Sequence, residues 1–203
     1  MKKLVKGIFV AASLIAFNSL HAQVVQSGSF VEKLSVEAQY GLNNVLSPTE
    51  GINAGDFSGF NFAQLGVNYH FNDVWALRGT VANSKFTHKD IDGVGVTYTK
   101  IVLEGSYNIL AAANGSAQAF EVNAHAGLGL GLGKSEFTTQ KEEVGVAQIG
   151  IKPTFNFNES IGVFVDGTFV QQFSQHFNFA GTTMKVGPGS YLNVGLGLHY
   201  RFN

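Results

Sequence analysis

The 203 residues contain no cysteine, and Asp, Glu, Lys and Arg together make up only 13% of the chain. Without cysteine there is no disulfide, no thiolate metal site, no thiol nucleophile and no lipid anchor on an N-terminal Cys. A soluble domain normally carries about 25% charged residues, so the low figure argues against a surface built wholly for water. Basic excess is missing too, the formal net charge being −1, which leaves nucleic acid without the basic patch it usually needs. Beyond the first twenty residues no apolar run reaches the roughly 18 residues of a membrane-spanning helix. Phenylalanine (18) and glycine (25) are abundant instead.

The first residues, MKKLVKGIFVAASLIAFNSLHAQ, carry Lys2, Lys3 and Lys6, an apolar stretch from Ile8 to Phe17, and Ser19-Leu20-His21-Ala22. That order predicts a Sec-type signal peptide over 1–22, cut after Ala22. The apolar stretch is too short for a retained helical anchor. The expected mature domain, 23–203, loses three lysines and has a formal net charge of −4.

Alternation then takes over. In YLNVGLGLHYRFN, Leu192, Val194, Leu196, Leu198, Tyr200 and Phe202 alternate with Asn193, Gly195, Gly197, His199 and Arg201. A period of two marks a strand with one apolar face. The length matches the roughly 9–11 residues of a tilted membrane-crossing strand. Eight such segments are expected, at about 33–42, 60–71, 74–84, 97–109, 118–132, 144–157, 161–172 and 191–202. Short polar breaks at Asn72-Asp73, around Ala113–Ser116 and at Asn158–Ser160 alternate with longer stretches such as NNVLSPTEGINAGDFSG and FSQHFNFAGTTMKVGPGS. Short turns on one side and long loops on the other are the pattern of a bacterial outer-membrane barrel. The fold class expected is all-β, an eight-stranded antiparallel up-and-down transmembrane β-barrel.

The charges keep to one face. Within the eight segments none falls on the apolar parity, and one charge at mid-bilayer costs about 2–4 kcal/mol. Glu37, Arg78, Lys100, Glu104, Glu121, Lys152, Asp166 and Arg201 share the polar parity and form an expected lumen charge network. Tyr69, Phe71, Trp75, Tyr107, Phe120, Phe155, Phe157, Tyr200 and Phe202 share the apolar parity at the short-turn ends, where rings sit at headgroup level. A secreted lipocalin-like barrel would show the same alternation with its apolar side inward. The one-ended ring cluster and the glycines of the polar face favour a narrow membrane barrel instead. Pro153 lies on the lipid parity of the sixth segment, where a bulge or an early end to pairing is expected.

On the stretch QLGVNYHFNDVWALRG, the hairpin rhythm and the closing LNVGLGLHYRF, the sequence resembles the barrel domain of OmpA/OmpX-type outer-membrane proteins. The resemblance covers essentially all of 23–203. It implies a place in the outer membrane of a Gram-negative bacterium, contact with its lipid, and insertion by the barrel assembly machinery through the final strand. Asn203 follows Phe202 where many members end on the aromatic. The peptidoglycan-binding domain of larger members has no counterpart here, so a cell-wall tether does not carry over.

For function, the expected reading is a structural or surface-interaction barrel with a charge-plugged lumen and long loops that meet an extracellular ligand. A narrow gated porin-like channel for small ions or solutes is the alternative, since charges lining a pore set selectivity. A lipid A-modifying enzyme using Ser174 and His176 comes third. The run GLGLGLG at 127–133 lacks the GxGxxG spacing of a dinucleotide site and lies inside an alternating strand. Asp90-Ile91-Asp92-Gly93 lacks the downstream Glu of a calcium loop and reads as a turn, and Asn114-Gly115-Ser116, though a sequon, falls in a short turn. No cofactor, metal or catalytic residue is expected.

Overall fold

Period-two alternation dictates strands, and the chain forms eight of them. The computed structural model describes residues 30–115, 119–138 and 140–202. The strands are β1 (Leu34–Ser47), β2 (Gly59–His70), β3 (Trp75–Thr87), β4 (Gly95–Asn108), β5 (Phe120–Ser135), β6 (Lys141–Asn156), β7 (Ile161–Phe177) and β8 (Thr183–Arg201). Each pairs antiparallel with the next, and β8 closes on β1, so no sheet edge is left. Among the described residues no helix is long and apolar enough to cross a membrane. The expected signal peptide lies outside the described residues.

Which face is apolar separates a membrane barrel from a soluble one. Leu65, Val81, Ile101, Leu128, Ile149, Leu196 and Leu198 point outward and are 50–67% exposed, whereas Arg78, Lys100, Glu104 and Asp166 point inward and are at most 1% exposed. A lipocalin-like barrel would have these two sets exchanged. An apolar wall around the whole circumference far exceeds the few hundred Å² that a soluble protein tolerates. The chain is a transmembrane β-barrel.

Both Leu34 and Arg201 lie at one end, here called the inner end, with the connections 71–74, 109–119 and 157–160. Its rings point outward and touch in pairs. Centroids are 5.3 Å apart for Tyr69 and Phe71, 4.7 Å for Trp75 and Tyr107, 5.6 Å for Phe155 and Phe157, and 5.1 Å for Tyr200 and Phe202. Phe120 stands opposite Phe155 in register. The connection 109–119 is not the short break expected: it holds a helix, α1 (Ile109–Asn114). The Asn108 side chain caps its start by accepting from Ala111 N at 3.1 Å. Gly115, at φ 79°, ends it in the left-handed conformation that glycine adopts without strain.

At the outer end the strands run further than the alternation suggested. The connections are only 48–58, 88–94, 136–140 and 178–182. Most of FSQHFNFAGTTMKVGPGS, expected as a loop, is strand. The cause is visible in β7, where the register slips between Gln172 and Gln175 and again before Phe177, and Ser174 takes φ 62°. A bulge inserts a residue and flips the parity beyond it, so a period-two reading stops there.

Pro153 produces neither the bulge nor the early end expected of it. On the β5 side it pairs with Val122. On the β7 side pairing stops after Ile151–Gly167 and resumes at Thr154–Phe164 in the same register. The missing N–H removes ladder bonds locally and leaves the alignment intact.

Candidate functional site

The polar faces of the strands converge on one ion network in mid-lumen. Arg78 of β3 is its hub. Its Nη2 lies 2.5 Å from Glu37 Oε1 (β1) and 2.8 Å from Asp166 Oδ2 (β7), and its Nη1 lies 3.2 Å from Glu104 Oε2 (β4). Lys152 (β6) meets the other Glu37 oxygen at 2.6 Å. His125 (β5) stands between two acids, Nδ1 at 2.7 Å from Glu104 and Nε2 at 3.1 Å from Asp166. Asn68 and Gln39 donate to Glu37 and Asp166, and Thr168 Oγ1 donates to Asp166 at 2.7 Å. Buried charges are tolerable only when paired and bonded to this degree. Lys100 sits apart, donating to Gln148 Oε1 at 2.6 Å with its Nζ 5.7 Å from the Tyr191 ring.

Room for these side chains comes from the neighbouring strand. Glu37 faces Gly66, Glu104 faces Gly127, His125 faces Gly150 and Asp166 faces Gly195 in register. A Cβ on Gly66 would lie 2.8 Å from Glu37 Cγ, and one on Gly127 would lie 2.7 Å from Glu104 Cγ. An eight-stranded lumen is just wide enough for its side chains, so each large group is matched by an absent one. The same logic accounts for the glycine run 127–133: Gly131 faces Lys100 and Gly133 faces Tyr98.

Toward the outer end the lumen turns apolar. Phe86, Tyr98, Phe179 and Tyr191 are completely buried. Their rings interlock, with centroids 4.7 Å apart for Phe86 and Phe179 and 5.0 Å for Phe86 and Tyr191. Val96, Val102, Val144, Val146 and Val170 complete the layer. Phe179 comes from the 178–182 turn, folded into the barrel and pinned there. Asn178 Oδ1 accepts from Thr182 N at 3.0 Å, and Ser135 Oγ donates to Gly181 O at 2.7 Å. Two closures therefore lie in series, one ionic and one aromatic.

No family model matches the sequence, and no curated protein matches it at a significant level. Solved structures do match. Neisserial surface protein A aligns with a TM-score of 0.57 at 12% identity, over 84% of this chain and 97% of that one. Ail, the attachment invasion locus protein of Yersinia pestis, in complex with the heparin analogue sucrose octasulfate, aligns at 0.52 and 16% identity, over 83% and 97%. A major outer membrane protein from Thermus thermophilus aligns at 0.50 and 13%, over 83% and 98%. The fold is that of the eight-stranded outer-membrane barrels.

Within that outer-membrane barrel fold, the structure does not gather all the charges singled out from the sequence. Glu37, Arg78, Glu104, Lys152 and Asp166 meet, and Lys100 lies on the outer side of them. Glu121 and Arg201 do not join: they line the inner mouth, a polar cavity of about 570 Å³ shared with His70 and His199. Parity assigns a face and not a height, which is why these two were grouped with the rest. His125 was overlooked as a network member although it stands on the polar parity. Ser174 and His176 come from the β7 bulge. His176 Nδ1 is 3.4 Å from Glu142, and the His176 backbone N–H also donates to that carboxylate. Among the described residues no hydrogen bond joins Ser174 to His176. None groups three acid or imidazole side chains as a metal site, the Asp90–Gly93 turn included.

Proposed function

We propose that this chain resides in the outer membrane of a Gram-negative bacterium and acts there as a structural and surface-interaction protein through its outer rim. The observation that carries the reading is the double closure: Arg78 spans the lumen at mid-height, and the interlocked Phe86, Tyr98, Phe179 and Tyr191 fill it above. A barrel so filled offers a solute no path, and the parts left free to meet a partner are the wall and the rim. The wall meets lipid. The rim carries the connections 48–58 and 88–94, with Ile91 half-exposed. The final strand, with Tyr200 and Phe202 on its outer face, is the segment the assembly machinery would engage on insertion.

The experiment replaces 48–58 and 88–94 by minimal Gly-containing turns and compares attachment of cells displaying each form to host surfaces and to the heparin analogue named for Ail. Reduced attachment, with the heat-dependent gel shift of a folded barrel retained, supports the reading. Unchanged attachment by well-displayed variants argues against it.

A further inference from the structure

Just beyond the apolar wall, the outward face of two neighbouring strands carries two lysines that make no ion pair among the described residues. Lys134 of β5 stands directly opposite Lys141 of β6 in register, and both are exposed. Like charges directly opposite across a strand pair are destabilising, and nearby acids normally relieve them. Two of the three nearby acids are engaged elsewhere. Glu136 pairs with Lys85 at 3.0 Å. Glu142 points inward, accepting from Tyr98 OH at 2.6 Å and from the His176 backbone. Glu143, exposed on the same face two residues from Lys141 and opposite Leu132, makes no ion pair among the described residues and leaves the pair with a net positive charge.

Depth identifies what such a pair would meet. Fourteen residues separate Phe120 from Lys134, and fourteen separate Phe155 from Lys141. At about 3.3 Å per residue and a tilt of about 40°, that is a rise of about 35 Å from the inner rings. The apolar band of such barrels is about 25 Å tall, so the ammonium groups stand in the headgroup layer above it. Leu132, 57% exposed and two residues nearer the bilayer centre on the same face, is the last apolar residue of β5 below them. Phe137, in the 136–140 turn that joins the two strands, is 64% exposed. Its backbone is tied down, Ser135 Oγ accepting from Phe137 N at 3.1 Å.

We infer that Lys134, Lys141 and Phe137 form a docking site for the phosphorylated sugar headgroup of an outer-leaflet glycolipid. Cβ atoms of directly opposed residues are about 4.5–5.5 Å apart, so both ammonium groups reach one phosphate, and a charge-assisted bond forms from each. The sugar face lies against Phe137. The ligand supplies the ion-pair partner that neither lysine has among the described residues. The site rests on the outer-membrane reading above.

Native mass spectrometry of the folded protein tests it, with bisphosphorylated lipid A, dephosphorylated lipid A and phosphatidylglycerol as probes, gel migration before and after boiling being read on every sample. The wild type is expected to retain bisphosphorylated lipid A, K134Q/K141Q to bind it at least ten-fold more weakly, and K134R/K141R to keep it. K85Q, whose lysine already has Glu136, changes little. F137A weakens lipid A several-fold without affecting phosphatidylglycerol, and with K141Q alone it answers the question should the double variant not fold. Equal retention by K134Q/K141Q, or equal binding of dephosphorylated lipid A or phosphatidylglycerol, overturns the proposal. A wild type that does not give the heat-dependent shift overturns the barrel placement itself, whereas a shifted wild type without lipid preference overturns only this site.

Discussion

Arg78 on β3 and Asp166 on β7 stand four strands apart in an eight-stranded closed sheet, and 2.8 Å separates their side chains. One ion pair therefore spans the full diameter of the lumen. Glu37 and Glu104 reach the same guanidinium from two other strands, so the hub ties four of the eight staves together.

Replacing Arg78 by Met leaves three buried carboxylates without their shared cation. Breaking a buried pair typically costs about 3–5 kcal/mol. The expected outcome is a loss of that order in the unfolding free energy of the protein in lipid vesicles, read by urea titration with tryptophan fluorescence. Wild-type stability in R78M would show that the network carries no net stabilisation.

Conductance separates a filled interior from a gated one. The wild type in a planar bilayer is expected to be silent, and Glu104→Ala is expected to be silent as well, because the aromatic layer of Phe86, Tyr98, Phe179 and Tyr191 still closes the bore. Reproducible steps from either protein would make the lumen a channel.

Glycines on the two faces of the wall make a matched pair of tests. A Cβ on Gly127 would collide with the Leu103 carbonyl oxygen and lie 2.7 Å from Glu104 Cα and Cγ, whereas one on Gly105 meets nothing within 4 Å. Gly127→Ala is expected to destabilise by about 1–3 kcal/mol through overpacking, and Gly105→Ala to be near neutral or mildly stabilising. Equal effects of the two substitutions, in the same urea titration, would remove the steric account of the inward glycines.

The gap beside Pro153 is readable by hydrogen exchange. Val165 and Asp166 lie where β7 loses its partners on β6 while both keep their partners on β8, and whichever of their two amides faces β6 is expected to exchange faster than the β6-facing amides on either side of the gap. Pro153→Val restores a donor on β6 and should slow exchange in this stretch. An unchanged pattern in P153V would assign the gap to something other than the imino ring.

Much of this architecture was legible because lipid punishes a misplaced charge. Parity put Glu37, Arg78, Glu104, Lys152 and Asp166 on one face, and the one-ended ring cluster with the glycines of that face made it the inside. Which of them meet was not legible, since the contact from β3 to β7 is set by closure and stagger and not by neighbours in sequence. Glu121 and Arg201 share the parity and lie at the mouth, because alternation encodes no depth. The outer third of β7 was hidden by a single bulge near Ser174, and with it went the docking of Phe179, whose only trace in the sequence is an aromatic in a polar stretch. Lys134 and Lys141 fall in the gap between the fifth and sixth expected segments, which stop at 132 and resume at 144, whereas both lie in strands.

The shortness of the outer connections has a thermodynamic side. A turn of five residues on two long strands, with Asn178 and Ser135 fastening it, has little freedom left to lose. Immobilising a mobile side chain on association costs about 0.5–1.5 kcal/mol each. A partner landing on 178–182 meets a surface already ordered, and most of that entropy was spent when the barrel folded.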